Sequence, residues 1–593
     1  MLRTTIALIL FTFLASACAV EEVRTDDVQG SLIHAGKADA WWSECELQQV
    51  LAWVSDPTVD VDLLDNSGVN RRAAGNIVAF RDGDDLTPGT SDDQVFDSLA
   101  TLDAVSWVGP VTFEQLVNAV SERCEGDAST AASTDGTMSL EVVFSPSSDY
   151  HESMLGKASE VINAAEHSID LAMYSFREKS LLDELEAAAD RGVRVRVILD
   201  SARSDRSEPD GTISARIEAL GIDVRYVNKI MHHKFMVVDG RRDGVLTPEQ
   251  ALVFTSSGNF SYSAGMRFDE NTVIIERNAE FAGMFLSQFS LMWNNSRDFD
   301  YGQVPAYAFI ETLEPEDIPD DSRFEMLFTS DNFDLKTTSH GPGFSMVSGR
   351  NAVSDRVVEL IERADRSILV ASGHLRSRPI AEAILAKHAE DPTMDIRVYL
   401  DGQEYISHWY YYHLVDEREA CLVEAGDSVS KQQACTDRGF YYSYAMHEAG
   451  IPIRFKHYAY RWHYTYAPQM HHKYIVLDGE TVLSGSYNLS DNAEHNTLEN
   501  LVVYQLDSLA DSFTSNFDRM WRTGEEDGLY EDLLAELTEG TGDIPLVYDS
   551  MALGWEEVKV LKDTIEDLCP AVHQWDYKKY PQSHKTCPRT APE

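Results

Sequence analysis

The chain has 593 residues, of which 43% are hydrophobic and 10% aromatic, so it has ample material for packed cores. This length exceeds what one hydrophobic core usually organises, and at least two large folded units are expected. Because 49 basic residues stand against 99 acidic ones, the net charge is −50, and such a surface disfavours nucleic acid as a bulk partner unless a local basic pocket overrides it.

Residues 1–18 have the pattern of an export signal. One basic residue, Arg3, precedes the apolar run from Thr5 to Leu14, which is too short to span a membrane. The segment ends in Leu-Ala-Ser-Ala-Cys, which resembles a bacterial lipoprotein processing site with its aliphatic residue one place early. We therefore expect an exported bacterial protein, either secreted after ordinary signal cleavage or anchored to the outer membrane by a lipid on Cys18, with residues 19–40 as a tether.

The six cysteines other than Cys18 favour disulfide bonds, since an exported protein meets an oxidising environment and their number is even. They fall in three regions of the chain, with two cysteines in each region. The simplest pairing is therefore local: Cys45 with Cys124, Cys421 with Cys435, and Cys569 with Cys587. No Cys-x-x-Cys spacing indicates zinc binding or thiol redox chemistry.

Residues 41–125 are predicted to form a small helical module, and a linker rich in Gly, Ala, Ser and Thr at 126–138 separates it from the rest of the chain. The stretches 69–83 and 96–116 resemble tandem helix-hairpin-helix repeats, which often grip a DNA backbone. Several aspartates between the two stretches would repel phosphate, so a structural or protein-contact role is favoured over DNA binding.

From residue 139, short apolar strands alternate with amphipathic helices, a pattern typical of a mostly parallel sheet covered by helices. The order recurs in the second half, so we predict two homologous α/β/α domains, at 139–310 and 311–540, packed as a pseudo-twofold pair. The second copy contains an aromatic-rich insertion at 405–466, interpreted as a packed lobe that borders the site. Residues 541–593 are predicted to be an irregular tail.

One motif occurs in both of these domains. Each copy reads H-x-K-x4-D and is followed on the next strand by Ser-x-Asn. The residues are His232, Lys234, Asp239, Ser257 and Asn259 in the first copy, and His471, Lys473, Asp478, Ser486 and Asn488 in the second. Since side chains alternate along a strand, the His and Lys of each copy share one face, and the Asn of the next strand lies beside them. Two copies predict two half-sites that face each other.

These groups suit a phosphodiester. The lysines and asparagines can bind the non-bridging oxygens, whose charge rises in the transition state, while the serines are interpretable equally as phosphate donors or as polar strand residues. One histidine can attack phosphorus, and the other can protonate the leaving oxygen and then activate water. We expect neither a metal nor a cofactor, because a lysine two residues after each histidine disfavours a nearby cation.

Both motifs, the internal repeat and the strand–helix order resemble the phospholipase D superfamily over residues 139 to 525. The resemblance implies that His232 and His471 are nucleophile and general acid, in an order that it leaves open. It also implies that Glu270 and Glu499 orient the histidines, whereas Asp239 and Asp478 are structural or support the site from behind.

Export, acidity and the aromatic insertion favour a lipid substrate within this superfamily. The resemblance then implies a metal-independent phosphodiesterase that hydrolyses phospholipid to phosphatidate and alcohol through a phosphohistidine, acting as a monomer with possible attachment to a membrane. An extracellular endonuclease and a phosphatidyl transferase are the alternatives within the superfamily. A surface-anchored binding module with a vestigial site is a further alternative, against which the two intact motifs argue.

Overall fold

The computed structural model describes most of the chain beyond the first 43 residues. The described residues are 44–67, 69–83, 90, 94–96, 101–102, 105–108, 112, 115–116, 119–120, 131–134, 138–240, 250–299, 318–339, 341–458, 467–525, 527–540, 544–545, 548–568 and 586–587. They form a small helical module and two α/β domains.

Helices around one small core make up the described part of the N-terminal module. They are α1 (Glu44–Ser55), α2 (Val61–Asn66) and α3 (Arg71–Arg81). The side chains of Asp60 and Asn70 accept hydrogen bonds from the first turns of α2 and α3, which fixes where these helices begin. The predicted helical module is confirmed. Its likeness to helix-hairpin-helix repeats stays a prediction, since most of 96–116 and the linker at 126–138 lie in or beside undescribed residues.

A nine-stranded sheet organises domain 1. The strands in chain order are β1 (Ala131–Thr134), β2 (Ser139–Ser145), β3 (Ser168–Met173), β4 (Arg194–Leu199), β5 (Asp223–Tyr226), β6 (Ile230–Met231), β7 (Lys234–Val238), β8 (Leu252–Ser256), β9 (Glu270–Glu276) and β10 (Arg297–Asp298). Their order across the sheet is β1-β2-β9-β8-β7-β3-β4-β5-β10, and β6 pairs elsewhere. The helices are α4 (Met154–Ala164), α5 (Lys179–Asp190), α6 (Ala202–Asp205), α7 (Ile213–Ala219), α8 (Tyr262–Met266) and α9 (Ala279–Asn294).

Domain 2 is built on an eight-stranded sheet. Its strands and accompanying ribbons are β11 (Phe324–Phe328), β12 (Phe333–Thr338), β13 (Gly341–Met346), β14 (Ser367–Ser372), β15 (Leu375–Arg376), β16 (Asp395–Asp401), β17 (Ile453–His457), β18 (Lys473–Leu477), β19 (Thr481–Gly485), β20 (Leu489–Ser490), β21 (Thr497–Leu498), β22 (Asn500–Gln505), β23 (Ile544–Pro545), β24 (Met551–Gly554) and β25 (Thr586–Cys587). The order across the sheet is β11-β22-β19-β18-β14-β16-β17-β24.

The helices of domain 2 include a pair that has no equivalent among the described helices of domain 1. In chain order they are α10 (Ala352–Arg363), α11 (Arg378–Glu390), α12 (His408–Ala425), α13 (Val429–Thr436), α14 (Ser443–Glu448), α15 (Asp491–Asn496), α16 (Asp507–Trp521), α17 (Leu529–Glu539) and α18 (Trp555–Leu568), with 3-10 turns at Thr329–Asn332 and Gly402–Glu404. The unmatched pair is α12 and α13, and we call it the helical lobe.

The two sheets match strand for strand, which supports the predicted duplication. Reading from β2 in one sheet and from β11 in the other, eight consecutive strands correspond, and β7 and β18 carry the two motifs. In both sheets three strands run parallel through helical crossovers, while the motif strands and their neighbours are antiparallel. The α/β/α class is confirmed, but the sheets are mixed rather than mostly parallel, because each motif strand pairs antiparallel with both of its neighbours.

Residues 551–568 correct the predicted irregular tail. Strand β24 pairs antiparallel with β17, in the place that β10 takes beside β5 in domain 1. Helix α18 then covers the sheet through side chains that are fully or almost fully buried, namely Trp555, Val558, Leu561 and Ile565. Residues 551–568 therefore complete domain 2 rather than trailing from it.

The aromatic insertion is also smaller than predicted. Strand β17 pairs with β16 as β5 pairs with β4, so 453–457 is part of the repeated sheet, and the helical lobe is the added part among the described residues of the insertion. The predicted disulfide Cys421–Cys435 joins the two helices of the lobe. Cys18, Cys124, Cys569 and the side chains of Cys45 and Cys587 lie outside the described residues, and their pairings stay predictions.

A core shared by both domains lies between the two sheets. Along β7, Phe235 and Val237 face this shared core, while Met236 and Val238 face the helices of domain 1. From domain 2, Tyr474 and other strand residues enter the same core, which α9 and α16 also line. The domains therefore pack as continuous protein interior. Among the described helices, none is both long enough and apolar enough to cross a membrane.

Candidate active site

The two H-x-K segments lie at the starts of β7 and β18, one in each sheet. His232 is 9% exposed, whereas Lys234 and Lys473 are fully buried, each donating a hydrogen bond of 2.6 Å from Nζ to the carbonyl oxygen of the histidine two residues earlier. The backbone N–H of His232 donates to the carbonyl oxygen of Leu498, and that of His471 donates to the carbonyl oxygen of Asp269, both at 3.0 Å. Each motif is thus held by the other domain.

The orienting glutamates are exchanged between the domains. Glu499 of domain 2 bonds Nδ1 of His232, with nitrogen–oxygen distances of 2.8 and 2.9 Å to its two oxygens. Glu270 of domain 1 bonds Nδ1 of His471 at 2.5 Å. Both carboxylates are fully buried. Since each carboxylate accepts a hydrogen bond from Nδ1–H, the neutral imidazole keeps its proton on Nδ1 and presents its Nε2 lone pair to the centre of the site. The resemblance named the glutamates, but not this exchange.

The neighbouring residues His233 and His472 repeat the exchange one layer deeper. Their Nδ1 atoms lie 3.0 Å from the side-chain oxygens of Asn500 and Asn271, respectively, each in the opposite domain. Both imidazoles are fully buried. They hold the two domains in register and do not reach the reacting centre.

Ser257 and Ser486 make bonds that a phosphate-donor role does not require. The hydroxyl of Ser257 donates to Glu270 at 2.5 Å, and that of Ser486 donates to Glu499 at 2.7 Å. Each hydroxyl also accepts the backbone N–H of the asparagine that follows its glutamate, at 2.9 and 3.0 Å. In this geometry the serine hydroxyl groups hold the glutamates in place. The contacts of the serines therefore support a positioning role rather than the predicted binding of phosphate.

Asn259 and Asn488 lie beside the histidines but differ from each other. The side-chain oxygen of Asn259 accepts the backbone N–H of Ser175 at 3.3 Å. The corresponding oxygen of Asn488 is buried without a hydrogen-bond partner among the described residues. The amide nitrogens of both residues remain the groups predicted to bind phosphate.

Asp239 and Asp478 lie away from the reacting centre. Each adopts a left-handed backbone conformation, with φ of 52° and 57°, at the far end of its motif strand. Their carboxylates accept backbone N–H groups from the turns before β3 and β14, at 2.6 to 3.1 Å. These contacts fix the strand against the preceding helix turn, which fits the structural role that the resemblance implies for both aspartates.

Burial controls the charges in the site. It lowers the pKa of His471 to about 4 and that of His232 well below its ordinary value, and Lys473 lowers both further. Burial also lowers the pKa of Lys234 to about 7 and that of Lys473 to about 8, against the opposing pull of the glutamates. Before substrate binds, both histidines are neutral near pH 7, and the lysines lie close to their titration range.

The two glutamates are not equivalent. Glu270 lies beside His471 and Lys473, and these cationic or donating partners hold its pKa below the ordinary value despite burial. At Glu499 burial dominates and raises the pKa to about 7. The site therefore has a more anionic side, next to His471, and a more readily protonated side, next to His232.

Two aspartates outside the motifs also support them. The carboxylate of Asp200 accepts the backbone N–H of Met231 at 2.8 Å, and that of Asp401 accepts the N–H of Met470 at 2.9 Å. Each thereby fixes the residue that precedes a motif histidine. In the sequence, this role could have been inferred from their equivalent positions at the ends of β4 and β16.

A group of three acidic side chains lies elsewhere in domain 1. Glu218, Asp223 and Asp298 approach one another on α7, β5 and β10, and they are the group of possible metal ligands found in the described part of the chain. Strands β3 and β4 separate this group from the motif strand β7. The reaction centre is therefore built from imidazole, ammonium, amide and carboxylate groups.

Comparison with known proteins places this architecture in one family. A family model described as the PLD-like domain of cardiolipin synthase matches residues 159–293 and 357–521, together about half of the chain. Mitochondrial cardiolipin hydrolase of Mus musculus is 29% identical over 158 residues, which are 26% of this chain and 65% of that protein. A phospholipase D of Rickettsia conorii is 30% identical over 129 residues, or 22% and 58% of the two chains. The chain thus spans less than two thirds of the length of these relatives.

Among solved structures, the phospholipase D family member Nuc from Salmonella typhimurium is 28% identical, with a TM-score of 0.22, over 27% of this chain and 97% of Nuc. The family model covers both repeats, and each matched segment contains one H-x-K-x4-D motif with its Ser-x-Asn. The chain belongs to the phospholipase D superfamily.

Proposed function

We propose that the protein is an exported, metal-independent phosphodiesterase that hydrolyses phospholipid to phosphatidate and an alcohol. One observation carries this proposal: two imidazoles meet at a buried centre, each held at Nδ1 by a glutamate of the opposite domain, with two buried lysines between them. Such a pair supplies both a nucleophile and an acid to a phosphodiester.

In the first step, Nε2 of one histidine forms a bond to phosphorus while the bond from phosphorus to the alcohol oxygen breaks. The second histidine, protonated on binding of the anionic substrate, donates its Nε2 proton to the leaving oxygen. Lys234, Lys473 and the amide groups of the asparagines stabilise the non-bridging oxygens. In the second step, the second histidine removes a proton from water, and the hydroxide displaces the first histidine and releases phosphatidate.

A lipid substrate is favoured by the surroundings of this centre. Strand β16 ends beside β14, at the edge of the sheet where the motif strand β18 begins, and helix α12 starts shortly after that end. At the start of α12, Trp409 is 72% exposed and Tyr410 is 40% exposed. Indole and phenol rings favour the boundary between water and lipid. The net charge of −50 disfavours nucleic acid.

The deciding experiment measures turnover of phosphatidylglycerol vesicles, cardiolipin vesicles, and single- and double-stranded DNA, with chelator present throughout. We expect release of phosphatidate from lipid that disappears in His471→Ala, with no cleavage of DNA. Histidine-dependent DNA cleavage with inert lipid would establish a nuclease instead. Transfer to an added primary alcohol at the expense of hydrolysis would indicate a phosphatidyl transferase.

Alkaline pH is expected to reduce the binding of the anionic substrate. A lysine with a lowered pKa is charged below that pKa and neutral above it, so Lys234 and Lys473 lose their protons as the pH rises through about 7 and about 8. We predict that kcat/KM falls above about pH 8, and that kcat falls less because a bound anion retains the protons. The measurement is a rate profile from pH 6 to 9.5, with circular dichroism as the folding control; a flat kcat/KM would contradict it.

The exposed aromatic residues of α12 are expected to act on aggregated lipid. We predict that the double variant Trp409→Ala, Tyr410→Ala loses vesicle hydrolysis on the order of tenfold, because anchoring rings are removed. Hydrolysis of a short-chain lipid below its micelle concentration should not change. Trp107→Ala is the matched control, since Trp107 is 63% exposed on the N-terminal module. Equal losses on both forms of lipid would show that these rings do not bind the surface.

Export and anchoring belong to the same proposal. Residues 1–18 and Cys18 lie outside the described residues, and the sequence pattern alone supports a signal with lipidation as one of its two outcomes. Labelling with a radioactive fatty acid, compared between the native chain and Cys18→Ala, separates a lipoprotein from a secreted monomer.

A further inference from the structure

The two half-sites differ at one pair of side chains next to the motif asparagines. In domain 2, β15 and β20 pair in parallel with Leu375 opposite Leu489, so the preceding residues, His374 and Asn488, are also neighbours. In domain 1 the equivalent bridge joins Phe176 and Phe260, and the preceding residues are Ser175 and Asn259. Because residues at equivalent places on paired strands point to the same side, His374 and Asn488 lie side by side. Domain 2 thus has an imidazole where domain 1 has a small hydroxyl.

His374 is held in the same way as the two motif histidines. Its Nδ1 lies 3.0 Å from Oε1 of Glu404, a fully buried carboxylate that also accepts hydrogen bonds from Nε and Nη2 of Arg376 at 2.9 and 2.6 Å. The side chain of His374 is 26% exposed, and its Nε2 has no hydrogen-bond partner among the described residues. A buried glutamate therefore orients an imidazole whose other nitrogen remains open to a ligand.

Asn488 offers a second open acceptor. Its side-chain oxygen is buried and unpartnered within the described residues, whereas Asn259 satisfies the same atom with the backbone N–H of Ser175. The difference has a local cause, since the backbone N–H of His374 donates to the hydroxyl of Ser372 instead, at 3.2 Å. A buried amide oxygen without a donor is costly, and a ligand donor would satisfy it.

This pair borders the reacting centre. Gly373, immediately before His374, lies so close to the second motif that a Cβ at this position would be 3.0 Å from the carbonyl oxygen of Met470 and 3.7 Å from Cα of His471. Burial lowers the pKa of His374, and the charges of Arg376 and Lys473 add to that lowering against Glu404. His374 is therefore neutral near pH 7, with a proton on Nδ1 and a lone pair on Nε2.

Two neighbouring acceptors require a hydrogen-bond donor from the ligand. A phosphate oxygen cannot supply one, and the nearby cationic groups of Lys473 and Arg376 disfavour an ammonium group. A hydroxyl group meets both conditions. The amide nitrogen of Asn488 remains available for phosphate, which would place the hydroxyl close to the scissile bond.

We propose that His374 and Asn488 form a subsite that binds a hydroxyl group on the alcohol part of the substrate, so that the protein prefers hydroxylated head groups. The subsite rests on the proposed lipid hydrolysis and assigns the alcohol side of the reaction to the half-site of domain 2. In domain 1 the backbone already satisfies the equivalent acceptor, and the two half-sites are therefore specialised.

The experiment compares phosphatidylglycerol with phosphatidylethanol, which lacks a free hydroxyl, and with phosphatidylethanolamine. All are presented in identical mixed micelles to the wild type, His374→Ser and His374→Gln. For His374→Ser, which copies domain 1, we expect kcat/KM for phosphatidylglycerol to fall about tenfold, as for one lost hydrogen bond, and the rate on phosphatidylethanol to change less than twofold. His374→Gln retains an acceptor and should recover part of the preference. His167→Ser, an exposed histidine at the opposite end of the sheet, is the control.

The outcomes separate the subsite from the function on which it rests. A selective loss on phosphatidylglycerol supports the subsite, whereas an equal loss on all three lipids, or no loss, overturns it while lipid hydrolysis stands. A selective loss on phosphatidylethanolamine would overturn the choice of a hydroxyl. If the wild type cleaves bis(p-nitrophenyl) phosphate but none of the lipids, both the proposed function and the subsite are rejected. Thermal melting of each variant checks that it is folded.

Discussion

Alanine at either motif histidine is expected to reduce kcat by at least about 10³-fold. His471→Ala and His232→Ala each remove one of the two imidazoles, and the remaining one cannot act both as nucleophile and as acid for the same leaving oxygen. The buried glutamate and lysines persist in both variants, so substrate still binds and KM should change less than kcat. Turnover of the preferred lipid under saturating conditions provides the measurement.

The same variants identify the nucleophile. Reactions with substrate labelled at phosphorus, quenched in alkaline denaturant because the P–N bond is labile in acid, should trap a phosphohistidine in the wild type and in the variant that lacks only the general acid, but not in the variant that lacks the nucleophile. His167→Ala, at an exposed histidine before β3 and away from both motif histidines and the helical lobe, serves as the matched histidine control. A variant of either motif histidine that keeps more than about a tenth of wild-type kcat would refute a shared two-histidine site.

The glutamate exchange predicts the second-largest effects. Glu499→Gln and Glu270→Gln should each lower kcat by about 10² to 10⁴-fold, because an amide neither fixes the Nδ1–H tautomer nor stabilises the imidazolium that forms at Nε2. Size is nearly unchanged, so the cost in stability should be small compared with the loss of rate. Single-variant kcat values and melting temperatures test this.

Pairs of variants locate the interaction across the domains. Adding Glu499→Gln to His232→Ala should cost little beyond the first change, since the glutamate no longer has its histidine to orient. Adding Glu270→Gln to His232→Ala should further reduce whatever activity the second half-site retains. If the pattern were reversed, with Glu270 coupled to His232, each glutamate would serve its own domain and the structural assignment would be wrong.

The sequence was sufficient for the parts of the site that depend on local pattern. His232 and Lys234 share a strand face because side chains alternate, and the duplicated spacing predicts that His471 and Lys473 do the same. The α/β/α class followed from apolar strands between amphipathic helices. These features involve residues that are close in the chain, where the periodicity of the backbone determines which side chains meet.

Contacts between distant residues could not be read in this way. Glu499 lies 267 residues from His232, and nothing in the spacing distinguishes it from Glu270 as the partner. Strand β24 was missed because it is a four-residue edge strand whose burial depends on β17 and α18. Ser257 and Ser486 looked like phosphate donors until the position of each glutamate revealed the acceptor that their hydroxyl groups use.

The reciprocal glutamates affect how this gene can change over generations. Recombination between the repeats gives a chimera with His232 from one parent and its glutamate from the other. The chimera is active only if both parents pair each histidine with the glutamate of the opposite domain. The effect of a mutation in one repeat therefore depends on the sequence of the other repeat, and neither repeat can be transferred alone with its function intact. A single repeat could be active only as a homodimer, in which each copy supplies the glutamate for the other. Such a dimer is a natural starting point for the duplication. The two repeats were then joined in one chain, and His374 came to distinguish them.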